Sequence, residues 1–477
     1  MPPVPAQAAR EVVVLGGGIS GLSLAFFLRQ ALQQLPSTLT TAVPTRIRVL
    51  DAAPSAGGWV RTAKKDGFLF EEGPRGFRPS RNGAEMLRLV EQLGLEQEMA
   101  AKVPTSLLEA LRWPLAGQVV QAGLHELFAK RGTLDDESIY DFTARRFSPV
   151  IAERLLDPMA SGIFGGDIRY LSMRACFPML VDLEQRHGSV VRGMLFGGSK
   201  DDKLLDGTPK SEFVRQHERS VSISFRDGMS TLMNAMEKHI RADALSEVHA
   251  NAKVTRIDPT SSQDRTSFVV TTEDAATGQS EQVEATHVFS TIPACYLAPA
   301  VRGALPKLAS ALDEIKFVDM AMVHVGFNAR VLASDGFGYL VPTAERERVL
   351  GVVFDSNTFP VQNASDNDEQ TRVTVMSGGA HLPNVRSIPS EELEATAVDA
   401  LRRHLGIERK PDFARVLTMQ NAIPQYHVGF AKTLGRIEQE AVPGLYLGGN
   451  SFYGIGLADC VTRSKELALK FASSVAK

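Results

Sequence analysis

Glycines at fixed spacings near the start of the chain indicate a site for a nucleotide cofactor. Gly16, Gly18 and Gly21 have the spacing Gly-x-Gly-x-x-Gly. In such a turn the first glycine permits a tight bend, the second lets the backbone approach a pyrophosphate, and the third lets the following helix pack closely. Ile19 and Ser20, between the last two of these glycines, are further candidate cofactor contacts, since free N–H groups at the start of the following helix can bind phosphate. A chance glycine-rich turn is the alternative.

The elements around this turn follow the order of a dinucleotide-binding unit. Residues 11–15 (EVVVL) predict a buried parallel strand, and the leucine and phenylalanine spacing predicts a helix over 22–35. A second strand at 47–50 ends in Asp51, whose carboxylate would bind the adenosine ribose hydroxyls. Asp51 lies further past Gly21 than the usual ~20 positions, because a Pro- and Thr-rich stretch, a predicted surface loop, intervenes. The complete order argues against a chance turn.

A second glycine cluster, from Gly444 to Gly449, precedes Asn450 near the C-terminus. Its position predicts one cofactor site assembled from both ends of the chain. That arrangement favours a flavin enzyme over a nicotinamide dehydrogenase.

A glycine pair and an arginine follow Asp51. Gly57 and Gly58 permit close backbone approach, Trp59 is a further candidate cofactor contact, and Arg61 has a planar fork suited to a pyrophosphate. The pattern resembles the second fingerprint of FAD-binding flavoproteins of the amine-oxidase type, in which this arginine meets the cofactor phosphates. A solvated surface arginine is the alternative for Arg61.

Further segments resemble the protoporphyrinogen oxidase family, and the resemblance covers nearly the whole chain. The most specific are Gly-Pro-Arg-Gly at 73–76, Gly-Phe-Gly at 336–338 and Pro-Gln-Tyr at 424–426, and the others lie at 161–167, 171–174, 290–294 and 372–376. The resemblance implies an α/β fold with a discontinuous FAD-binding Rossmann-like domain, an α+β substrate domain and a helical membrane-contacting domain. The expected boundaries are 11–85, 217–295 and 423–477 for FAD, 86–198 for the helical domain, and 296–422 for the substrate domain.

The resemblance also implies an activity. Protoporphyrinogen IX would be oxidised to protoporphyrin IX by successive hydride transfers to FAD, with dioxygen reduced to peroxide. We expect the FAD to be held noncovalently, since no cysteine or histidine near the C-terminal glycines suits attachment. The family context further implies monotopic contact with the mitochondrial inner membrane, product transfer to a ferrochelatase, and a homodimer.

The resemblance assigns residues to the flavin. Gly73 and Pro74 would lie under the flavin ring, with Arg75 nearby but not as a base, because a guanidinium stays protonated. Val254 would contact the adenine through its backbone. The C-terminal residues that would close over the ribityl chain and ring are Gly449, Gly456, Leu457 and Asp459. The N–H of Asp459 or Cys460 could face the pyrimidine end at a predicted helix start near 460.

The substrate slot is expected to be flat and apolar. Its candidate lining residues are Phe337, Leu340, Val353 and Met376. Gly162 would turn its backbone carbonyl toward the tetrapyrrole nitrogens, so Gly162 and Arg75 are the residues assigned to the catalytic centre. For each apolar residue taken alone, core packing is the alternative.

The chain departs from the family in one segment. An Arg-Phe-(Leu/Ile)-Tyr stretch, whose arginine pairs with a substrate propionate, is missing where residues 103–107 run into the next predicted helix. Arg145 and Arg146, at the end of a helix predicted over 136–146, are the candidate replacements. An ion pair with Glu137 is the structural alternative for either. An inactive isoform or a flawed gene model would also explain the gap.

Composition restricts the remaining classes. The 477 residues predict two or three domains, and 52 basic against 55 acidic residues give no basic excess for nucleic acid. The three cysteines form no CxxC pair, so neither a disulfide framework nor a metal site is predicted. No apolar run reaches the length of a spanning helix, and residues 1–10 resemble no export signal. The polar stretches 199–211 and 355–371 are predicted to be surface loops.

Three functions remain open from the residues. Besides a protoporphyrinogen oxidase, the chain could be another amine-oxidase-type flavoprotein, such as a polyamine oxidase or carotenoid desaturase. A polyamine enzyme would line its tunnel with acids and aromatic rings, whereas the slot candidates are apolar. A catalytically silent FAD protein that binds tetrapyrroles is the third.

Overall fold

The computed structural model describes residues 10–35, 44–102, 116–196, 202–262, 265–364, 367 and 369–476. Its central element is a five-stranded parallel sheet, called the cofactor sheet below, which draws strands from the beginning, middle and end of the chain. In spatial order the strands are Leu445–Leu447, His287–Ser290, Arg10–Leu15, Thr45–Leu50 and Ser246–His249. A dinucleotide-type sheet is therefore completed only when both ends of the chain have folded.

Both faces of the cofactor sheet are buried, as its apolar strands require. The helices Ile19–Gln33, Ser230–Arg241 and Leu457–Val475 contribute side chains to the core on one face. On the other face lie the helices Ala294–Val301 and Pro306–Leu312 and a three-stranded antiparallel sheet of Ala252–Ser262, Arg265–Asp274 and Ser280–Ala285. The alternation of Val12 and Val14 with Val13 and Leu15 divides the two cores.

A second sheet, called the substrate sheet below, is antiparallel. Its order is Gly338–Leu340, Val349–Phe354, Thr371–Gly378, Lys316–Phe327 and Phe413–Gln425. The helix Ser390–Leu405 buries one face of this sheet. The opposite face is directed toward the site described below. Two short antiparallel strand pairs lie outside both sheets, Thr62–Lys65 with Phe68–Glu71 and Met99–Lys102 with Ser222–Phe225.

The intervening region is helical, as its sequence predicts. Its helices are Gly83–Gln92, Ala116–Glu126, Ile139–Arg146, Pro149–Ile151, Asp157–Phe164, Met173–Cys176, Pro178–His187, Val190–Phe196 and Glu212–His217, with a π-helical turn at Ala152–Leu156. Most of them share one apolar core around Ile139 and Phe142. Among the described helices, none has the length and apolar composition needed to cross a bilayer.

Several predicted element boundaries shift. The first helix begins at Ile19 because Gly18 is its N-cap, and the last begins at Leu457 after Gly456. The helix predicted over 136–146 begins at Ile139, because the Ser138 hydroxyl caps it by accepting from the Asp141 N–H.

Residues 246–262 form two strands of different sheets, which are separated at Asn251, whose φ is +57°. One other prediction about local structure is wrong. The polar stretch 355–371 is not a surface loop, since Asp355, Ser356 and Gln362 are buried. The other polar stretch, 199–211, is described only from residue 202, and Leu204 in it is buried.

Candidate active site

The two glycine clusters meet at the carboxyl edge of the cofactor sheet. Because its strands are parallel, Gly16, Thr291 and Gly448 each follow the last residue of a neighbouring strand. A Cβ added to Gly16 would lie 3.0 Å from the Thr291 Oγ1, and one added to Gly449 would lie 2.7 Å from the Thr291 carbonyl oxygen. Both ends of the chain therefore pack on Thr291 and form one surface.

The first glycine turn is shaped by backbone contacts. A Cβ on Gly21 would lie 1.7 Å from the Gly16 carbonyl oxygen, so no side chain fits there. A Cβ on Gly18 would meet only the Gly58 Cα, at 3.7 Å, which is ordinary contact. Gly57 donates its N–H to the Gly17 carbonyl at 2.8 Å, which joins the two glycine fingerprints. The open side of Gly18 is where a ligand can approach the backbone.

Asp51 and Arg61 flank this surface. The Asp51 carboxylate accepts the N–H groups of Gly17 at 2.5 Å and Ala53 at 2.7 Å. The Arg61 Nε is buried and has no hydrogen-bond partner among the described residues. A buried donor of this kind needs an acceptor, and an arginine fork suits the pyrophosphate of a dinucleotide. The site therefore fits FAD.

Val254 lies close to this acid in the fold. Its strand begins at Ala252, whose N–H donates to the Asp51 carbonyl at 2.7 Å. Contact of the Val254 backbone with an adenine stays a prediction.

The C-terminal glycine segment is fixed by Tyr426. Its hydroxyl donates to the Asn450 carbonyl and accepts the Gly454 N–H at 3.1 Å. Burial raises the pKa of this phenol above its usual range, which keeps the donating proton in place. The sequence used Pro-Gln-Tyr only as a family marker and did not predict these two hydrogen bonds, because a single tyrosine gives no local signal of its distant partners.

The helix Leu457–Val475 begins directly after the C-terminal glycine segment, with Gly456 as its N-cap. Cys460 already donates its N–H to the Gly456 carbonyl, so the suggestion that it faces the flavin is wrong. Asp459 belongs to the first turn, whose N–H groups have no partner within a helix, together with Leu457. Burial raises the pKa of the Cys460 thiol to about 11, which argues against a covalent bond from this cysteine.

The predicted slot residues share one face of the substrate sheet. Leu340 pairs with Gly351, Gly351 with Met376, and Met376 with Met322, which places these four in one row on the same side. Val353 occupies the neighbouring row of this face. Leu340 is 42% exposed and Phe337, just before its strand, is 40% exposed. Met376 also packs against a small core with Met320, so the packing alternative holds for part of its surface.

Gly162 lies against this row. A Cβ added to it would stand 2.6 Å from the Leu340 Cδ2. Gly162 belongs to the last turn of the helix Asp157–Phe164, where carbonyl groups lack partners within the helix. The carbonyls of Ser161 and Phe164 are bonded to the Gly165 N–H and the Gln425 amide. Contact of the Gly162 carbonyl with the tetrapyrrole nitrogens stays a prediction.

Arg75 connects the cofactor side to the slot. Its Nε lies 2.7 Å from the Asp355 Oδ1, and both side chains are largely buried. The second Asp355 oxygen accepts from the Thr374 hydroxyl at 2.6 Å. Gly73 packs closely on Trp59, since a Cβ there would lie 1.9 Å from the Trp59 carbonyl oxygen. The turn through Pro74 is thereby held between the second fingerprint and the substrate sheet. Sequence reasoning missed Asp355 because it assigned that stretch to the surface.

Burial shifts the pKa values of two titratable groups near this turn in the direction that favours the neutral form. Burial raises the pKa of the Glu71 carboxyl to about 7, although it accepts the Met229 N–H and the Thr62 hydroxyl. Burial also lowers the pKa of His324 to about 4, and its ring stacks on Phe70 at 4.6 Å. His324, with its pKa near 4, is a weak base, whereas the Glu71 carboxyl, with its pKa near 7, is only partly ionised at neutral pH.

The predicted propionate anchors Arg145 and Arg146 are wrong. Arg145 forms the alternative ion pair, with its Nη2 2.6 Å from the Glu137 Oε1, and also binds Glu184. The Arg146 side chain is fully buried and pairs with Glu126, which is equally buried. Both guanidinium groups are already paired with carboxylates of the helical region. The departure at 103–107 itself lies outside the described residues.

We expect Asp355→Asn to lower the free energy of unfolding by about 3 kcal/mol, because it leaves the buried Arg75 charge without its partner. Asp335→Asn is the matched control, since Asp335 pairs with Arg330 at the surface and is 89% exposed. The control should change stability by less than about 1 kcal/mol. Urea denaturation measures both, and equal stability of the two variants would refute the role of the Arg75–Asp355 pair.

Comparison with known proteins agrees with this geometry. The model of the flavin containing amine oxidoreductase family matches residues 19–468. The chain is 33% identical to human protoporphyrinogen oxidase over 96% of this chain and 98% of that one. It is 24% identical to coproporphyrinogen III oxidase of Bacillus subtilis (strain 168), over 96% of both chains. A crystal structure from Exiguobacterium sp. 255-15, provisionally named protoporphyrinogen oxidase, superposes with a TM-score of 0.75 at 22% identity, covering 98% of this chain and 99% of the other.

Proposed function

Because this chain belongs to the flavin-containing amine oxidoreductase family and is an FAD-dependent oxidoreductase, we propose that it oxidises protoporphyrinogen IX to protoporphyrin IX in tetrapyrrole biosynthesis. The observation that carries the proposal is the apolar row through Leu340 and Met376, with Gly162 against it and Arg75 at its edge. The extensive identity with human protoporphyrinogen oxidase supports the choice of substrate.

Different residues would bind the cofactor, hold the substrate and orient the macrocycle. FAD, when bound, accepts hydride from the substrate and passes the electrons to dioxygen, which yields peroxide. The open backbone at Gly18 and the unpaired Arg61 Nε would hold the pyrophosphate. The Leu340–Met376 row would hold the flat macrocycle and exclude water. The Gly162 carbonyl would accept a pyrrole N–H and so orient the ring.

The rival substrates differ in charge. Coproporphyrinogen III carries propionates where protoporphyrinogen IX carries vinyl groups, and the exposed apolar surface of Leu340 in the Leu340–Met376 row favours the vinyl-bearing macrocycle. A polyamine would need a free carboxylate. Asp355, the acid next to this face, is already paired with Arg75.

Anaerobic mixing tests the proposal. Purified holoprotein is mixed separately with protoporphyrinogen IX, coproporphyrinogen III and putrescine, and loss of the oxidised-flavin absorbance is followed. Fast loss with protoporphyrinogen IX supports the proposal. Faster loss with either of the others transfers the assignment to that substrate, and protoporphyrin binding without any absorbance loss identifies a silent binding protein.

We further propose that the helical region contacts a membrane surface. An apolar patch consists of six exposed side chains on and beside two helices: Val120, Leu124, Phe128, Met194, Leu195 and Phe196. The helices are joined through Glu126, whose carboxylate accepts the Val190 N–H at 2.7 Å. Exposed Lys130, Arg131 and Arg192 border the patch and suit anionic headgroups. A patch of this kind supports monotopic binding.

Removing both large aromatic groups should release the protein from lipid. Phe128 is 84% and Phe196 82% exposed, and each would contribute about 1.5–3 kcal/mol when buried. We expect the Phe128→Ser/Phe196→Ser variant to lose at least about tenfold in partitioning to anionic vesicles in a flotation assay. Val361→Ser, an exposed apolar residue outside the patch, is the control. Equal flotation of both variants would place lipid contact elsewhere.

The family context extends this proposal to the mitochondrial inner membrane, for which fractionation of cells that express the protein is the test. Product transfer to a ferrochelatase and formation of a homodimer stay predictions of the sequence.

A further inference from the structure

Lys102 places a positive charge at the edge of the slot. It ends the strand Met99–Lys102, which pairs with Ser222–Phe225. Its Nζ donates to the Asn357 carbonyl at 2.9 Å and lies 5.6 Å from the centre of the Phe337 ring. Asn357 follows Asp355 by two positions in the same short helix, Asp355–Thr358. The ammonium therefore stands beside one candidate slot residue and near the Arg75 pair.

The charge of Lys102 lacks an anionic partner. Within the part of the chain that the structure describes, no carboxylate oxygen lies within 4.0 Å of its Nζ. An ammonium has three N–H donors, and a single neutral carbonyl satisfies one of them. The site can accept an anion without breaking an existing ion pair.

Three other cations around the slot, among the described residues, are already engaged. Arg75 pairs with Asp355, and the Arg415 Nη1 lies 2.6 Å from the Glu72 Oε1. Arg372 is buried and donates to the carbonyls of Leu69 and Phe359. Lys102 is thus the cation of this group that is left to meet a ligand.

The proposed substrate presents a matching group. A porphyrinogen is a flat, largely apolar macrocycle whose propionates are ionised carboxylates at neutral pH. An apolar face with a lysine at its edge complements that pattern. We propose that Lys102 binds a propionate carboxylate of the porphyrinogen and so sets which edge of the macrocycle lies beside Phe337. The inference rests on the proposed function and deepens it.

Charge-specific kinetics test this assignment. Lys102→Met removes the charge at similar volume, and Lys102→Arg keeps it. Each variant is assayed with protoporphyrinogen IX and with its dimethyl ester, in which the carboxylates are neutral. We expect Lys102→Met to raise KM for the free acid at least about tenfold, the equivalent of about 1.4 kcal/mol, and to leave KM for the ester nearly unchanged. Lys102→Arg should restore most of the affinity for the acid.

Lys316→Met is the matched control, because the Lys316 Nζ also donates to a backbone carbonyl, that of Asp313 at 3.1 Å, but is exposed. It should leave both KM values unchanged. FAD content and thermal unfolding are recorded for every variant, and Lys102→Gln replaces Lys102→Met if the latter does not fold. A purely structural role for the Lys102–Asn357 bond would affect acid and ester alike.

The outcomes separate the inference from the function on which it rests. If the wild type oxidises protoporphyrinogen IX and Lys102→Met keeps its KM, or raises KM equally for acid and ester, the inference is overturned and the function stands. If the wild type does not reduce its flavin with this substrate, the proposed function fails. The affinity for protoporphyrin IX, measured by fluorescence titration, then tests the role of Lys102. Equal affinity of the wild type and Lys102→Met overturns the assignment.

Discussion

Gly18→Val should yield a folded protein that no longer binds FAD. The backbone at Gly18 has φ −77° and ψ −171°, a region open to valine. An added Cβ meets only the Gly58 Cα, at 3.7 Å, so the protein itself accommodates it. The branched side chain would instead occupy the space in which the pyrophosphate approaches the backbone. We expect the purified variant to be colourless and inactive, with thermal unfolding close to that of the wild-type apoprotein.

Two other glycines sharpen this experiment. Gly435→Val lies in the helix Phe430–Glu440, where an added Cβ meets nothing within 4 Å, and should retain FAD. Gly21→Val should fail to fold, since its Cβ would collide with the Gly16 carbonyl. Flavin absorbance per mole of protein, measured after gel filtration, reports each case. A Gly18→Val variant that retains one FAD per chain would show that the cofactor does not lie on this turn.

Met376→Glu should abolish turnover and leave the flavin spectrum intact. Met376 stands beside Gly351 and Met322 in the row that faces the macrocycle. A carboxylate there would be buried against an apolar ring, at a cost of several kcal/mol unless it is protonated or paired. Arg75, near the Met322 sulfur, is already occupied by Asp355. We therefore expect kcat/KM to fall at least about a hundredfold, since about 2.7 kcal/mol suffices for that.

The controls for Met376 separate charge from shape. Met376→Leu conserves volume and polarity and should keep most of the activity. Met376→Gln introduces polarity without charge, and its kcat/KM should lie between those of Met376→Leu and Met376→Glu. Steady-state kinetics and the flavin absorbance spectrum are measured for all three. Wild-type kinetics in Met376→Glu would place the substrate on another surface.

Sequence alone could predict what depends on neighbours along the chain. The apolar run at 11–15 and the glycines that follow it predicted a strand, a tight turn and a helix, and the structure confirms all three. The α/β fold with an FAD-binding sheet is likewise confirmed, while membrane contact stays a proposal. These features follow from local sterics and from a periodicity that lies within a single element.

The predictions that failed concerned partners far away in the chain. Arg75 and Asp355 are 280 positions apart, so a polar stretch that holds a buried acid looked like a surface loop. Arg145 and Arg146 were placed correctly on a helix, and Glu137 was named as a possible partner, but Glu184 and Glu126, which also pair with them, come from other helices. The division of 246–262 between two sheets was also decided by long-range pairing.

The amino-acid sequence by itself determined the cofactor class, because the glycine fingerprints are written in residue types at short spacing. Only the tertiary structure decided which charges are free. The position of an arginine or lysine in the sequence does not reveal its counter-ion. Ion pairing depends on distances of a few ångströms between side chains of elements that only the tertiary structure brings together. That is why Arg146, at a helix end, is buried and neutralised by Glu126, while Lys102, unremarked in the sequence, stands beside Phe337 with no carboxylate partner among the described residues.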